Sequence, residues 1–145
     1  MKPRFKETRK FLNSIHTINY GGCGISALAL YDSAKREGLK PKIVYLYHAL
    51  WESESMERND QFKKGERKKA DACSHVLVKI GNRLYDSTGF IPKSMIWAYA
   101  MDEKITRDHL IASINNKGVW NDVFERKRFM PQIQKYLKRG TTIKV

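Results

Sequence analysis

The chain has 145 residues and a mass of 16.9 kDa, the size of one domain built around one core. Its 41% apolar and 11% aromatic content excludes a chain disordered throughout, and no apolar run approaches the ~20 residues that a membrane-spanning helix needs. Lys and Arg number 28 against 15 Asp and Glu, and the net charge of +13 points to phosphate backbones, anionic surfaces or acidic substrates as classes of partner.

The first twelve residues are basic and weakly patterned and predict a surface arm or short helix. Their start, M-K-P-R-F-K-E-T-R-K, has no apolar stretch behind it, unlike a secretory signal. Asn19-Tyr20-Gly21-Gly22 breaks the chain, and Cys23 opens a markedly apolar stretch. Ile25, Ala27, Leu28, Ala29, Leu30, Tyr31 and Ala34 cover more than one helical face, which predicts a central helix stopped by Gly38. Pro41 to Tyr47, rich in β-branched and aromatic residues, reads as a strand. His48 to Asp71 turns polar and charged, with Trp51, Met56 and Phe62 spaced along it. It reads as a long loop or helical excursion, of a length that implies function, such as a lid or recognition element.

His75 to Ile80 and Arg83 to Asp86 then flank Gly81-Asn82, a Gly-first pair suited to a two-residue hairpin. Thr106 to Asn116 predicts a helix with Leu110, Ile111 and Ile114 on one side and Gly118 after it. Pro131 is expected in the first turn of a last helix carrying Ile133, Tyr136 and Leu137 and ended by Gly140, with Thr141 to Val145 as a closing strand. No repeat or linker interrupts the chain, so residues 1–145 read as a single domain. The order of helix, strands, then helices favours α+β over a doubly wound sheet.

Cys23 follows two glycines and begins a helix. Glycines let a substrate backbone come close, and the free N–H groups and dipole of a helix N-terminus favour a thiolate and an oxyanion. Such a nucleophile needs a base. If Gly81 and Asn82 are the two loop residues, Ile80 faces Arg83, Leu77 opposes Asp86, and His75 opposes Thr88. His75 and Asp86 then lie diagonally on one face, where a carboxylate holds an imidazole in the tautomer of a general base. One residue more or less in the loop would turn Asp86 to the other side.

The order Cys, His, Asp, with the Cys at a helix N-terminus and the other two on adjacent strands, resembles the transglutaminase-like branch of the papain-fold cysteine enzymes. N-Y-G-G-C-G-I-S-A-L-A-L-Y resembles its nucleophile helix, and H-V-L-V-K-I-G-N-R-L-Y-D-S-T-G resembles its histidine strand, turn and aromatic-Asp-x-Thr segment. The resemblance covers Asn19 to Tyr31 and His75 to Gly89. It implies a papain-like fold with a central nucleophile helix packed on an antiparallel sheet. It also implies acyl transfer, in which Cys23 attacks an amide or ester carbonyl, His75 shuttles the proton and Asp86 orients His75. The family holds peptidases, amide-crosslinking enzymes, acetyltransferases and members that have lost catalysis. Gly24 stands where crosslinking members commonly carry an aromatic residue, and Ser87 where Pro is frequent. The first departure weakens the case for crosslinking, and neither touches the three catalytic roles.

Asn19 is the candidate side-chain donor to an oxyanion, and equally a turn or cap residue. Cys73 reads as a small buried hydrophobe, with a redox partner or metal ligand for Cys23 as its other readings; the chain has no C-x-x-C pair, and no metal or cofactor is expected. His16 and His109 lack comparable context, and His48 is an alternative base. Two cysteines are too few for a disulfide framework and suit a reducing cytoplasm.

The expected function is that of a thiol-dependent hydrolase or acyltransferase, a thiol protease or amidohydrolase acting on a peptide or protein amide. The rival is a catalytically silent basic module contacting nucleic acid or an acidic protein. Its cations fall in the first ten residues, between Lys63 and Lys69, and from Arg126 to Lys144, interleaved with Tyr20, Trp97, Trp120, Phe129 and Tyr136. No membrane partner is expected, and the oligomeric state is left open.

Overall fold

A computed structural model describes residues 3–48, 75–96, 98–116 and 124–145. The described chain is α+β, with four helices and a five-stranded antiparallel sheet. Helices α1 (Phe5–Asn13) and α2 (Cys23–Arg36) precede β1 (Lys42–His48), β2 (His75–Ile80), β3 (Arg83–Asp86) and β4 (Gly89–Ile91). A short 3-10 turn leads to β5 (Ala98–Ile105), and α3 (Arg107–Asn115) and α4 (Arg126–Ile133) follow. The strand order is β4-β3-β2-β1-β5. The polar segment expected to form a lid lies largely outside the described residues.

Helix α2 is the axis of the fold. Eleven of its fourteen residues are buried, so it is covered on all sides rather than along one stripe. Gly24, Ser26, Ala27, Ala29, Ser33 and Ala34 are small enough to let neighbouring elements come close, while Ile25, Leu28 and Leu30 supply apolar volume. With Ile43, Tyr45, Val76, Val78 and Ile105 from one face of the sheet they form the main core. Val44, Leu46, Leu77 and Leu84 point the other way into a smaller cluster. The split follows strand alternation, since Ile43 and Tyr45 take one face of β1 and Val44 and Leu46 the other.

Three expectations need adjustment. The N-terminal segment is a helix, and it belongs to the core. Leu12 and Thr8 are fully buried, and Thr8 Oγ1 lies 2.6 Å from Ser33 Oγ on α2. The last helix starts five residues before Pro131 and encloses it. The missing Pro131 N–H costs one intrahelical bond only three residues before the helix tightens into a 3-10 turn at Gln134–Tyr136. Thr141 to Val145 form no strand, because side chains satisfy their backbone. Gln134 Nε2 donates to Thr141 O at 2.8 Å, Lys144 N donates to Asn115 Oδ1 at 2.8 Å, and Arg126 Nη1 donates to Lys144 O at 3.2 Å. Strand β5, A-Y-A-M-D-E-K-I, carries helix formers, and pairing with β1 overrides that preference.

The ends of the molecule are tied through a buried carboxylate. Asp32 on α2 accepts Arg107 Nε at 2.8 Å and Nη2 at 2.7 Å, and also Lys138 N at 2.7 Å. Thr106 caps α3, its hydroxyl accepting His109 N at 3.1 Å, so Arg107 leaves a fixed helix start. Asp32→Ala should lower the stability to urea unfolding by about 2–4 kcal/mol, somewhat less than a wholly buried pair because the Arg107 side chain keeps 21% of its surface in solvent.

Candidate active site

The two-residue turn is present as the sequence predicts. Gly81 has φ +62° and, among the described residues, no residue type other than glycine has positive φ, the pattern of a Gly-first hairpin turn. Ile80 pairs with Arg83, Lys79 with Leu84, and Val78 with Tyr85. That register puts Asp86 on the His75 side, and His75 Nε2 lies 3.2 Å from Asp86 Oδ2. Both side chains are mostly buried, at 19% and 12% exposure.

Asp86 divides its carboxylate between two tasks. Oδ1 accepts the Thr88 backbone N–H at 2.8 Å and the Thr88 hydroxyl, closing the turn into β4. Oδ2 holds the imidazole. The turn-forming and histidine-orienting roles of an Asp in this position are therefore compatible, one per oxygen.

Cys23 reaches this pair from the other end of the local sequence. It is the first residue of α2, buried, with its thiol free of any disulfide. Gly22 is the N-cap and provides no side-chain cap. Two glycines are needed here for different reasons. Gly21 has φ +101°, and a Cβ on Gly22 would lie 2.5 Å from Ile18 O and 2.9 Å from Phe124 Cγ. Asn19 then ties this entry to the hairpin, its Nδ2 donating to Ser87 Oγ at 3.1 Å, one residue past Asp86. Arg9 Nη1 adds a longer bond to Thr88 O at 3.4 Å.

The result is that Cys23 lies close enough to His75 to act on its ring through hydrogen bonding and charge. Burial opposes a charge on His75, yet the Asp86 bond, the Cys23 bond and the charges of both carry it up from 6.5 to about 9. Burial likewise opposes ionisation of Asp86. The His75 and Thr88 bonds overcome it and hold the carboxyl below its ordinary value.

Asn19 is a turn residue whose amide nitrogen is used on Ser87, not a helix cap. Its Oδ1 is buried without a hydrogen-bond partner among the described residues. Sequence reasoning missed Phe124, which packs where a Gly22 side chain would stand, and the Ser87 hydroxyl, which is fully buried. Neither carries a local signal, since both depend on a distant segment arriving. His16 and His109 are exposed and apart from the site. Cys73 and the His48 side chain lie outside what is described. Among the described residues no group of three or more His, Cys, Asp and Glu is placed to hold a metal ion.

The titration of this pair should show in stability. His75, raised on folding, stabilises the fold fully below pH 6.5, and that contribution is lost as pH rises through about 9. Asp86, lowered on folding, acts above its ordinary value and is lost as pH falls through its folded one. Urea unfolding should therefore record a loss of about 2–3 kcal/mol between pH 6.5 and 9, and His75→Gln should flatten that slope.

No family model, curated protein or solved structure matches the chain.

Proposed function

We propose that the protein is a thiol-dependent acyl-transfer enzyme of papain-like, transglutaminase-like type, hydrolysing a peptide or isopeptide-type amide. The observation that carries this reading is an imidazole bonded to a carboxylate at 3.2 Å, with the thiol at a helix N-terminus near enough to raise its pKa. In the reaction the Cys23 thiol passes its proton to His75 as Sγ attacks the amide carbonyl carbon. Charge developing on the carbonyl oxygen is met by the uncapped N–H groups opening α2. The His75 imidazolium gives its proton to the departing amine as the C–N bond breaks, leaving a thioester on Cys23. Water then attacks the thioester, His75 takes its proton and passes it to the departing sulfur, and the acid and the thiol are released. Asp86 keeps the ring aligned throughout. A chain with two cysteines and this chemistry is assigned to a reducing, cytoplasmic setting.

The rival basic-module reading has less support. Arg126 donates to Ile114 O at 2.6 Å, Arg128 pairs with Glu125 and lies over Phe129, and Lys135 lies over Phe11 and Tyr136. Phe129 and Tyr136 stack on Phe124 and Phe11. These cations and rings serve the fold. Among the described residues no helix is long and apolar enough to cross a membrane.

p-Nitrophenyl acetate tests the reaction directly. Cys23 should expel p-nitrophenolate and carry the acetyl group, seen by mass spectrometry of the quenched protein. Cys23→Ala should end turnover with the fold intact, and His75→Ala should slow acylation by about 10²-fold or more. Unchanged hydrolysis by Cys23→Ala would overturn the mechanism.

The pH profile is a separate check. Above about 9 the imidazolium loses the proton that the leaving group needs. The rate of acyl transfer from an amide substrate should fall through that pH, and Asp86→Asn should move the limb to lower pH.

A further inference from the structure

At the other end of α2 the chain encloses a second, chemically different space. A cavity of about 420 Å³ is lined by Tyr31, Asp32, Lys35, Arg36, Arg107 and Lys138. It begins ~13 Å along the helix axis from Cys23, so it is not part of the thiol site. Four cations face one carboxylate, and that carboxylate is already spent. Asp32 is 4% exposed and holds Arg107 through two bonds and the Lys138 backbone through a third. Lys35, Arg36 and Lys138 make no ion pair among the described residues.

The two arginines are held in place before any ligand arrives. Arg107 is further braced by Thr141 Oγ1 at 2.6 Å, and Arg36 by Pro3 O at 3.1 Å and Ser33 Oγ at 2.9 Å. Arg36 Nε and Nη1 nonetheless stay buried with no acceptor among the described residues. Lys35 and Arg36 also offset the negative end of the α2 dipole, but that role needs no cavity. A half-open cleft with three positive charges beyond the one paired to Asp32 is suited to a compact anion. The volume exceeds that of one phosphate and falls within the range of small-molecule sites, and Tyr31 offers a ring wall.

We propose that this cavity binds a phosphate ester of a planar ring, a mononucleotide, with the phosphate on Lys35 and Lys138, the buried Arg36 adding charge behind them, and the ring against Tyr31. The site stands independently of the chemistry at Cys23.

Calorimetric titration with adenosine monophosphate, adenosine and orthophosphate at low salt tests it. Adenosine monophosphate should bind at one site, more tightly than either fragment, and weaken as salt is raised. The double substitution Lys35→Glu, Lys138→Glu should weaken binding by at least about tenfold. Both side chains are exposed, so its melting temperature without ligand should stay near wild type. Tyr31→Leu should weaken the mononucleotide and leave orthophosphate unchanged. The proposal is overturned if adenosine monophosphate fails to bind at several millimolar, if adenosine or orthophosphate binds as tightly, or if the charge reversal changes nothing.

Discussion

The approach of the chain at Gly22 is the constraint on which the site depends. Ile18 O and the Phe124 ring occupy the volume that any side chain at this position would need. Closing that space lets the chain turn from the Ile15–Tyr20 segment into α2 within three residues. Phe124 N donates to Tyr20 O at 3.0 Å, so a segment from a hundred residues later seals the same turn. A larger residue at position 22 would push α2 away from Phe124 and carry Cys23 with it. The sulfur's position thus depends on the packing behind it.

The hairpin side of the site is held by bonds of a different kind. Asp86 Oδ1 belongs to the Thr88 turn and Oδ2 to the imidazole, so the carboxylate cannot swing without breaking one or the other. Asn19 joins the two halves by its bond to Ser87, next to Asp86 in the chain. Backbone geometry at the turn, side-chain orientation at His75 and the seating of α2 form one connected set. Buried polar groups that are mutually satisfied in this way resist rearrangement, because freeing any one leaves its partner without water.

Helix α2 links this end to the opposite one. Its small residues admit α1 and the sheet, and its single buried acid, Asp32, gathers Arg107, Thr141 by way of Arg107, and the backbone at Lys138. The C-terminal segment therefore stays against the domain without joining the sheet. Some of the positive charge is absorbed in the same work, as Arg126 and Arg107 each bind carbonyl, hydroxyl or carboxylate oxygens of distant segments. Four cations meet in the cavity beside Asp32.

Local chemistry settled a good part of this in advance. Gly81-Asn82 between two apolar runs determined a two-residue turn, and the turn determined that His75 and Asp86 share a face, because side chains alternate strictly along a strand. Gly-Gly before an apolar run determined where α2 begins. Strand β5, with its helix-forming residues, and the strandless Thr141–Val145 tail could not be read this way, since pairing partners and side-chain bonds from elsewhere decide them. The meeting of Cys23 with His75 was also beyond local reading. Alternation groups His75 with Leu77, away from the core that contains Cys23, and the two meet only because His75 opens its strand where the start of α2 is clasped to Ser87. Periodicity and turn type depend on neighbours a few residues apart. A contact between residues fifty positions apart depends on how finished elements pack, and only the folded chain decides that.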